Sequence, residues 1–241
     1  MTSAIILSAG QGSRLLPLTE HKPKCLLDIA GRSVLQWQID ALTALGISEV
    51  HVITGFHSDQ VESHLQNKYP GAKDIGTLFN PFYNVSDNLA SCWMARQHMD
   101  DDFLLINGDT VFEPGVLEVV LKSPEAPVTL TIDMKESYDE DDMKVKLQGD
   151  EVKNVSKILN AEDTDAESIG MLYFRGTGAY DFKSILESQM RSGTGLKSWF
   201  LSVIDMMASE GKVKACNISG QRWAEIDFIA DLETAENLLS D

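Results

Sequence analysis

An apolar run, Ala4–Ala9, leads straight into Gly10-Gln11-Gly12-Ser13-Arg14, and Pro17-Leu18-Thr19 and Lys22-Pro23-Lys24 follow. A buried strand that delivers a small glycine-rich turn brings backbone N–H groups to phosphate oxygens. Fixed cations just beyond it hold the rest of the charge. Such a stretch closes on a triphosphate, with Leu7, Ala9, Gly10, Gln11, Gly12 and Ser13 as candidate nucleotide contacts and Arg14 and Lys24 as the cations. It is not a P-loop, because G-x-x-x-x-G-K-[ST] is absent. It is not a dinucleotide fingerprint either, because the third glycine is replaced.

A second constellation is acidic. Asn107-Gly108-Asp109 ends another apolar run, and Glu225-Ile226-Asp227 lies far downstream. Residues two apart on a strand point the same way, so Glu225 and Asp227 can face one ligand. Magnesium takes oxygen ligands, commonly one or two carboxylates with phosphate oxygens and water. Asp109 and Asp227 fit that role, with Glu225 as a third ligand or a neighbour. The chain holds 37 acidic residues, so any one of these acids taken alone reads better as a surface carboxylate or a helix cap.

Leu7-Ser8-Ala9-Gly10-Gln11-Gly12-Ser13-Arg14, then Pro17-Leu18-Thr19 and Lys22-Pro23-Lys24-Cys25-Leu26-Leu27, resembles the signature of the nucleotidylyltransferases. That family includes sugar-1-phosphate nucleotidylyltransferases and bacterial phosphocholine cytidylyltransferases, and its pattern also carries a mid-chain Gly-Asp and a late acidic pair. The resemblance implies a Rossmann-like fold, Mg²⁺ dependence and pyrophosphate release. Arg14 would grip the β- and γ-phosphates, and Lys24 would neutralise the α-phosphate. An anionic acceptor oxygen attacks phosphorus in line without a general base, so catalysis is positioning and charge neutralisation. The sugar enzymes carry a glutamine-proline-x-glycine-leucine-like motif where this chain reads Asn80-Pro81-Phe82-Tyr83-Asn84-Val85-Ser86-Asp87-Asn88. The segment is more similar to the phosphocholine cytidylyltransferase branch, which implies CTP. Asp87, Asn88, Ser91 and Gly108 become candidate base or ribose contacts, and Asp87 and Asn88 are equally good helix caps.

For the acceptor, Lys157 corresponds to the family lysine before a glycine-bearing strand, and a surface charge after a hairpin is its plainer reading. Tyr173, Trp199, Phe200 and Trp223 lie in the same half, with Glu167 beside its central strand; they suit a choline or amine head, although for each aromatic core packing is the plainer reading. Phosphocholine and 2-aminoethylphosphonate are the leading acceptors. A sugar-1-phosphate uridylyl- or thymidylyltransferase is the alternative, and a silent nucleotide-binding regulatory domain is the alternative of another class.

The elements that must position these residues alternate. Ala4–Ala9, Val50–Thr54, Ile75–Phe79 and Phe103–Asn107 read as strands, with Val34–Leu45, Asp59–Tyr69 and Leu89–His98 as helices between them. This spacing predicts a doubly wound, mainly parallel α/β sheet with ligands at the strands' carboxyl ends. Beyond Pro127 the pattern changes. Val128–Met134, Met143–Leu147, Val152–Ser156, Ser168–Phe174, Val213–Asn217 and Trp223–Ile226 read as strands, with a hairpin turn at Gly149-Asp150. Tyr180–Arg191, Leu196–Ser209 and Asp231–Leu239 read as helices. One domain results, with about 1–126 as the nucleotide-binding half and about 127–241 as the acceptor-binding half.

Composition sets bounds on partners. The net charge of −17 disfavours nucleic acid and anionic membranes, and it leaves Arg14, Lys22 and Lys24 to attract anions against a repulsive background. Cys25, Cys92 and Cys216 make neither a disulfide framework nor a metal motif. With no targeting signal read at the N-terminus, a cytoplasmic enzyme is expected. The oligomeric state stays open, a homodimer included. The acidic run Asp139–Asp142 reads as a solvated loop.

Overall fold

The computed structural model describes residues 2–240. In chain order the strands are β1 (Ser3–Ser8), β2 (Asp28–Ile29), β3 (Arg32–Ser33), β4 (Val50–Thr54), β5 (Ile75–Phe79), β6 (Phe103–Asn107), β7 (Thr110–Phe112), β8 (Val128–Asp133), β9 (Lys144–Gln148), β10 (Glu151–Ser156), β11 (Ala166–Phe174), β12 (Val213–Asn217) and β13 (Trp223–Glu225). The helices are α1 (Val34–Ala44), α2 (Ser58–Lys68), α3 (Asn88–Met94), α4 (Pro114–Leu121), α5 (Thr177–Ser192), α6 (Phe200–Ser209) and α7 (Ile229–Leu239).

One nine-stranded sheet runs in the order β5-β4-β1-β6-β11-β8-β12-β10-β9. Its first four strands are parallel. β11 then enters antiparallel to both β6 and β8, so the sheet becomes mixed. The pattern change after Pro127 reflects this switch. A parallel sheet needs a covering helix per strand, whereas an antiparallel hairpin such as β9–β10 needs only its two-residue turn, with Gly149 at φ 65°.

The apolar run of β1 is buried on both faces, which is why it reads as continuous rather than alternating. Ile5 and Leu105 face a layer of α3, α5 and α6 built on Phe103, Phe174 and Phe182. Ala4, Ile6, Leu104 and Ile106 face α1, α2 and α4. A third, smaller cluster joins the two ends of the chain: Leu15, Leu27 and Val34 pack with Val111, Ile226, Ala235 and Leu239.

Two expected helices break early. Leu89–His98 stops at Met94 and continues as a 3-10 turn, Arg96–His98. The helix expected over Leu196–Ser209 begins only at Phe200, because Leu196 and Ser198 turn their carbonyls to the Asp87 and Leu89 amides. β7 and α4 were not visible as periodic segments. β7 is three residues long, and α4 starts directly behind Pro114 with apolar residues on most of its surface.

Candidate active site

The loop after β1 is a tight phosphate-sized turn. Gly12 sits at φ 75°, and Lys24 packs its stem where a Cβ would stand, 3.0 Å away. The buried Thr19 hydroxyl donates to the Gly12 carbonyl at 2.8 Å and holds the turn closed. A 3-10 turn, Ser13–Leu15, then swings Arg14 outward while Leu15 anchors in the third core cluster. Lys24 opens a second 3-10 turn behind Pro23, and its ammonium comes back under the loop.

The acids arrive from two directions. Asp109 occupies the turn between β6 and β7, where a Cβ at Gly108 would stand 2.4 Å from the Leu7 carbonyl. Buried Gln38 of α1 donates to the carbonyls of Asn107 (2.7 Å) and Thr110 (2.8 Å), on both sides of that turn. β13 pairs with β7 so that Glu225 lies opposite Thr110. Just beyond the strand end, Ile226 N–H bonds the Asp109 carbonyl, and Asp227 N–H bonds the Asp231 carboxylate of α7. Oxygens of Asp109, Glu225 and Asp227 thereby lie within 4.8 Å of one another.

The two sets interlock. Lys24 Nζ donates to Asp109 at 2.9 Å and to Asp227 at 2.7 Å, and Arg14 donates to Asp227 at 2.9 Å and to Asp141 at 3.1 Å. Burial by itself would lower the Lys24 pKa. The charges and hydrogen bonds of Asp109 and Asp227 outweigh it and hold the ammonium above its usual value. Glu225 keeps an exposed edge, yet the protein packed around its carboxyl and the charges of Asp109 and Asp227 push it up to about 8. Asp109 Oδ1 is buried and has no hydrogen-bond partner among the described residues. An all-oxygen donor set with one unsatisfied oxygen fits a hard divalent cation.

This cluster stands between two cavities. The first, about 470 Å³, is lined by Leu7–Gly10, Gly12–Arg14, Lys24, Asn80, Tyr83, Ser86–Asn88, Ser91, Gly108, Asp109, Trp199 and Asp227. The second, about 540 Å³, shares Asp227 and continues past Glu225, Trp223, Phe228, Glu167, Asp133 and Lys135 to the run Asp139–Asp142.

Comparison with known proteins decides the family. The nucleotidyl transferase family model matches residues 3–144, more than half of the chain. The chain belongs to that family. A CMP-5'-(3-aminopropyl)phosphonate synthase of Streptomyces rubellomurinus is 38% identical over 123 residues, covering 51% of this chain and 19% of that protein. A CTP:phosphoglutamine cytidylyltransferase of Campylobacter jejuni is 26% identical over 263 aligned positions, covering 96% and 98%. The chain thus spans about a fifth of the first relative and nearly all of the second. Among solved structures, the CTP:phosphocholine cytidylyltransferase of Streptococcus pneumoniae superposes with a TM-score of 0.81 at 21% identity, covering 99% of each chain. That likeness concerns the fold.

In this nucleotidyltransferase the residues named for the nucleotide line the first cavity except Gln11, and Asp87 and Asn88 do so while also serving helix ends. Gln11 turns its amide towards the Thr19 carbonyl, 3.5 Å away, and is not part of the cavity lining. Asn88 spends its side-chain oxygen on the Phe200 amide (2.8 Å), so it caps α6 from the far side of a loop. Asp87 takes the N-cap position of α3 without a side-chain cap bond. Lys22 stays on the surface.

In the second half, Tyr173 is a correction. It is buried beside Thr2 and Arg175, at the end of the sheet opposite the Gly10 loop, because its register on β11 places it against Leu104 and Thr129. Phe200 is core. Trp223 and Glu167 line the second cavity, while Trp199 lines the first. Lys157 rests its ammonium 5.0 Å above the Trp199 ring, in a groove on the outer side of that tryptophan. The acidic run is also more than a solvated loop, since Asp141 holds Arg14 and Asp142 lies within reach of Lys135.

Sequence reasoning missed Gln38, Asp133 and Lys135, and it quoted Asn80 and Tyr83 in the base-reading segment without naming them as contacts. One signal was present: Gln38 is a lone amide among Val34, Leu35, Ile39 and Leu42 on the buried face of α1. The three cysteines are free and buried. No helix among the described residues is long and apolar enough to cross a membrane.

Proposed function

We propose that this nucleotidyltransferase transfers CMP from CTP to a small phosphorylated or phosphonylated head group, phosphocholine or 2-aminoethylphosphonate, and releases pyrophosphate. The observation that carries the reading is the convergence of Arg14 and Lys24 with Asp109, Glu225 and Asp227 between two adjoining cavities. The first cavity suits the nucleotide and the second the acceptor. Residues of about 1–126 supply most of the former, and residues of about 127–241 most of the latter. The relatives that act on cytidine nucleotides, one over nearly its whole length, support cytosine as the base.

Loop amides from Gly10 to Ser13 hold phosphate oxygens, Arg14 binds the β- and γ-phosphates, and Lys24 holds charge at the α-phosphate. Asp109, Glu225 and Asp227 would bind Mg²⁺, which when present neutralises phosphate charge. Lys157 lines neither cavity and rests against Trp199 at the border of the first, and it is the lysine assigned to the acceptor's phosphate in this reading. The acceptor oxygen is already an anion. It bonds to α-phosphorus as the bridging P–O bond breaks, pyrophosphate takes the electron pair, and no base is required.

The test measures pyrophosphate release from CTP, UTP and dTTP with both acceptors and with glucose 1-phosphate. CTP with an amine-bearing acceptor is expected to lead by more than tenfold, and Asp109→Asn to lose at least a hundredfold in kcat with an unchanged circular dichroism spectrum. Preference for UTP or dTTP with the sugar phosphate would replace this reading by the sugar-nucleotide one.

A further inference from the structure

The second cavity contains a buried carboxylate whose needs are only half met. Glu167, the second residue of β11, is in register with Asp133 of β8 and is 3% exposed. Its Oε2 accepts from Lys135 Nζ at 2.5 Å. Its Oε1 is buried and has no hydrogen-bond partner among the described residues. Lys135 also lies 3.5 Å from Asp142 Oδ2, so a single ammonium serves two carboxylates. Lys135 is the one lysine or arginine lining this cavity, against nine aspartates and glutamates. A buried acceptor atom left unsatisfied costs free energy, and so does uncompensated negative charge in a confined space. Both deficits are removed by the same group: a cation that carries N–H donors.

The shape of the deficit distinguishes between cations. A primary ammonium offers three N–H bonds. A trimethylammonium offers none and is held instead by free aromatic faces. Those faces are few here: Trp223 and Phe228 are the aromatic residues lining this cavity, and the Arg14 guanidinium already lies 5.0 Å from the Phe228 ring centroid. Trp223 is fixed by its in-plane indole N–H bond to Asp133 Oδ2 at 2.9 Å, so it offers one ring where a trimethylammonium cage takes several.

We propose that Glu167, with Asp142 beside it, recognises a primary ammonium on the acceptor, so that an aminoalkyl phosphonate or phosphate is selected over its trimethylammonium counterpart. This rests on the cytidylyl-transfer reading above. The cavity runs from Glu167 past Glu225 to Asp227, so an acceptor anchored there by its ammonium directs its phosphonate towards Lys24 and the acid cluster. Loss of the N–H donors leaves Glu167 Oε1 unsatisfied, which sets the discrimination at about tenfold or more in kcat/KM.

The test compares 2-aminoethylphosphonate, its N,N,N-trimethyl analogue and ethylphosphonate as acceptors with CTP, reading pyrophosphate release. CTP binding in the presence of Mg²⁺ is measured separately by calorimetry. The aminophosphonate is expected to exceed both others by at least about tenfold. Glu167→Gln is expected to bring the three towards equal kcat/KM, a change of ratio that a general loss of stability does not produce. Asp142→Asn, on the loop between β8 and β9 and outside the sheet, is expected to narrow the same ratio and serves if the Glu167 variant does not fold. A trimethyl analogue used as well as the aminophosphonate, or ratios unmoved in both variants, would overturn the proposal. CTP bound but no acceptor used also overturns it, whereas failure to bind CTP overturns the reading on which it rests.

Discussion

Glu167 shows how one side chain can set both specificity and stability. Burial pushes its carboxyl pKa up to about 7; Lys135 pulls it down, and the Asp142 charge pushes it up again. The folded state therefore holds this proton more tightly than the unfolded chain does, where the group titrates near the ordinary glutamate value of 4.5. Between those two values the native protein binds more protons. Stability from this group accordingly falls as pH rises from about 4.5 to about 7 and is level above that. The full difference is at most about 3.5 kcal/mol, from about 1.4 kcal/mol per pK unit. Glu167→Gln is expected to flatten this part of the profile, so that the stability lost between pH 5 and pH 8 is smaller than in the wild type. Urea unfolding at the two pH values measures it, and an unchanged difference would show that the carboxylate is solvated. Neither this environment nor the partnership of Asp142 is legible in a sequence with so many acids. Which carboxylate lies behind a strand end depends on β11 meeting β8, and that pairing spans more than thirty residues.

At the scale of elements, the site depends on two short strands and one helix. β1, β4 and β6 were readable nearly to the residue, because buried parallel strands are near-continuous apolar runs bounded by glycine or polar turns. β5 and β12 are only partly buried and were readable from shorter β-prone runs and the turns that flank them. β7 carries no such pattern. It exists because Gln38 of α1 braces the turn before it and β13 pairs along it. Gln38→Leu retains the volume and removes both donors. The Asn107 and Thr110 carbonyls then remain buried without this partner, which is expected to lower stability by about 1–3 kcal/mol. The more telling readout is kinetic: the Asp109 turn loses its brace, so half-saturation by Mg²⁺ is expected to rise several-fold. A stability loss at unchanged Mg²⁺ dependence would show that the β7–β13 pairing alone fixes Asp109. The sequence contained the clue in the single amide on an apolar helix face, but not its target, because the carbonyls it serves lie about seventy residues away.

For the molecule as a whole, the decisive construction is closure of the chain's two ends over one site. Arg14 and Lys24 come from the first thirty residues, while Asp227 is held by α7 near the last. The motifs of both groups were visible in the sequence; that they meet is a property of the third core cluster, where Leu15 packs with Val111, Ile226 and Ala235. Leu15 is fully buried directly behind Arg14. Leu15→Ala removes this contact and is expected to cost about 2–5 kcal/mol. The two larger clusters that hold the nine-stranded sheet do not contain Leu15, so the fold survives. Arg14 loses the anchor that fixes its 3-10 turn, and the KM for the nucleotide is expected to rise more than kcat falls, since binding of the distal phosphates is weakened while Lys24 stays seated under the loop. A fall in kcat at unchanged KM would place Arg14's contribution in the transition state alone, and unchanged kinetics in a destabilised variant would show that Asp227 and Asp141 suffice to hold the guanidinium in position.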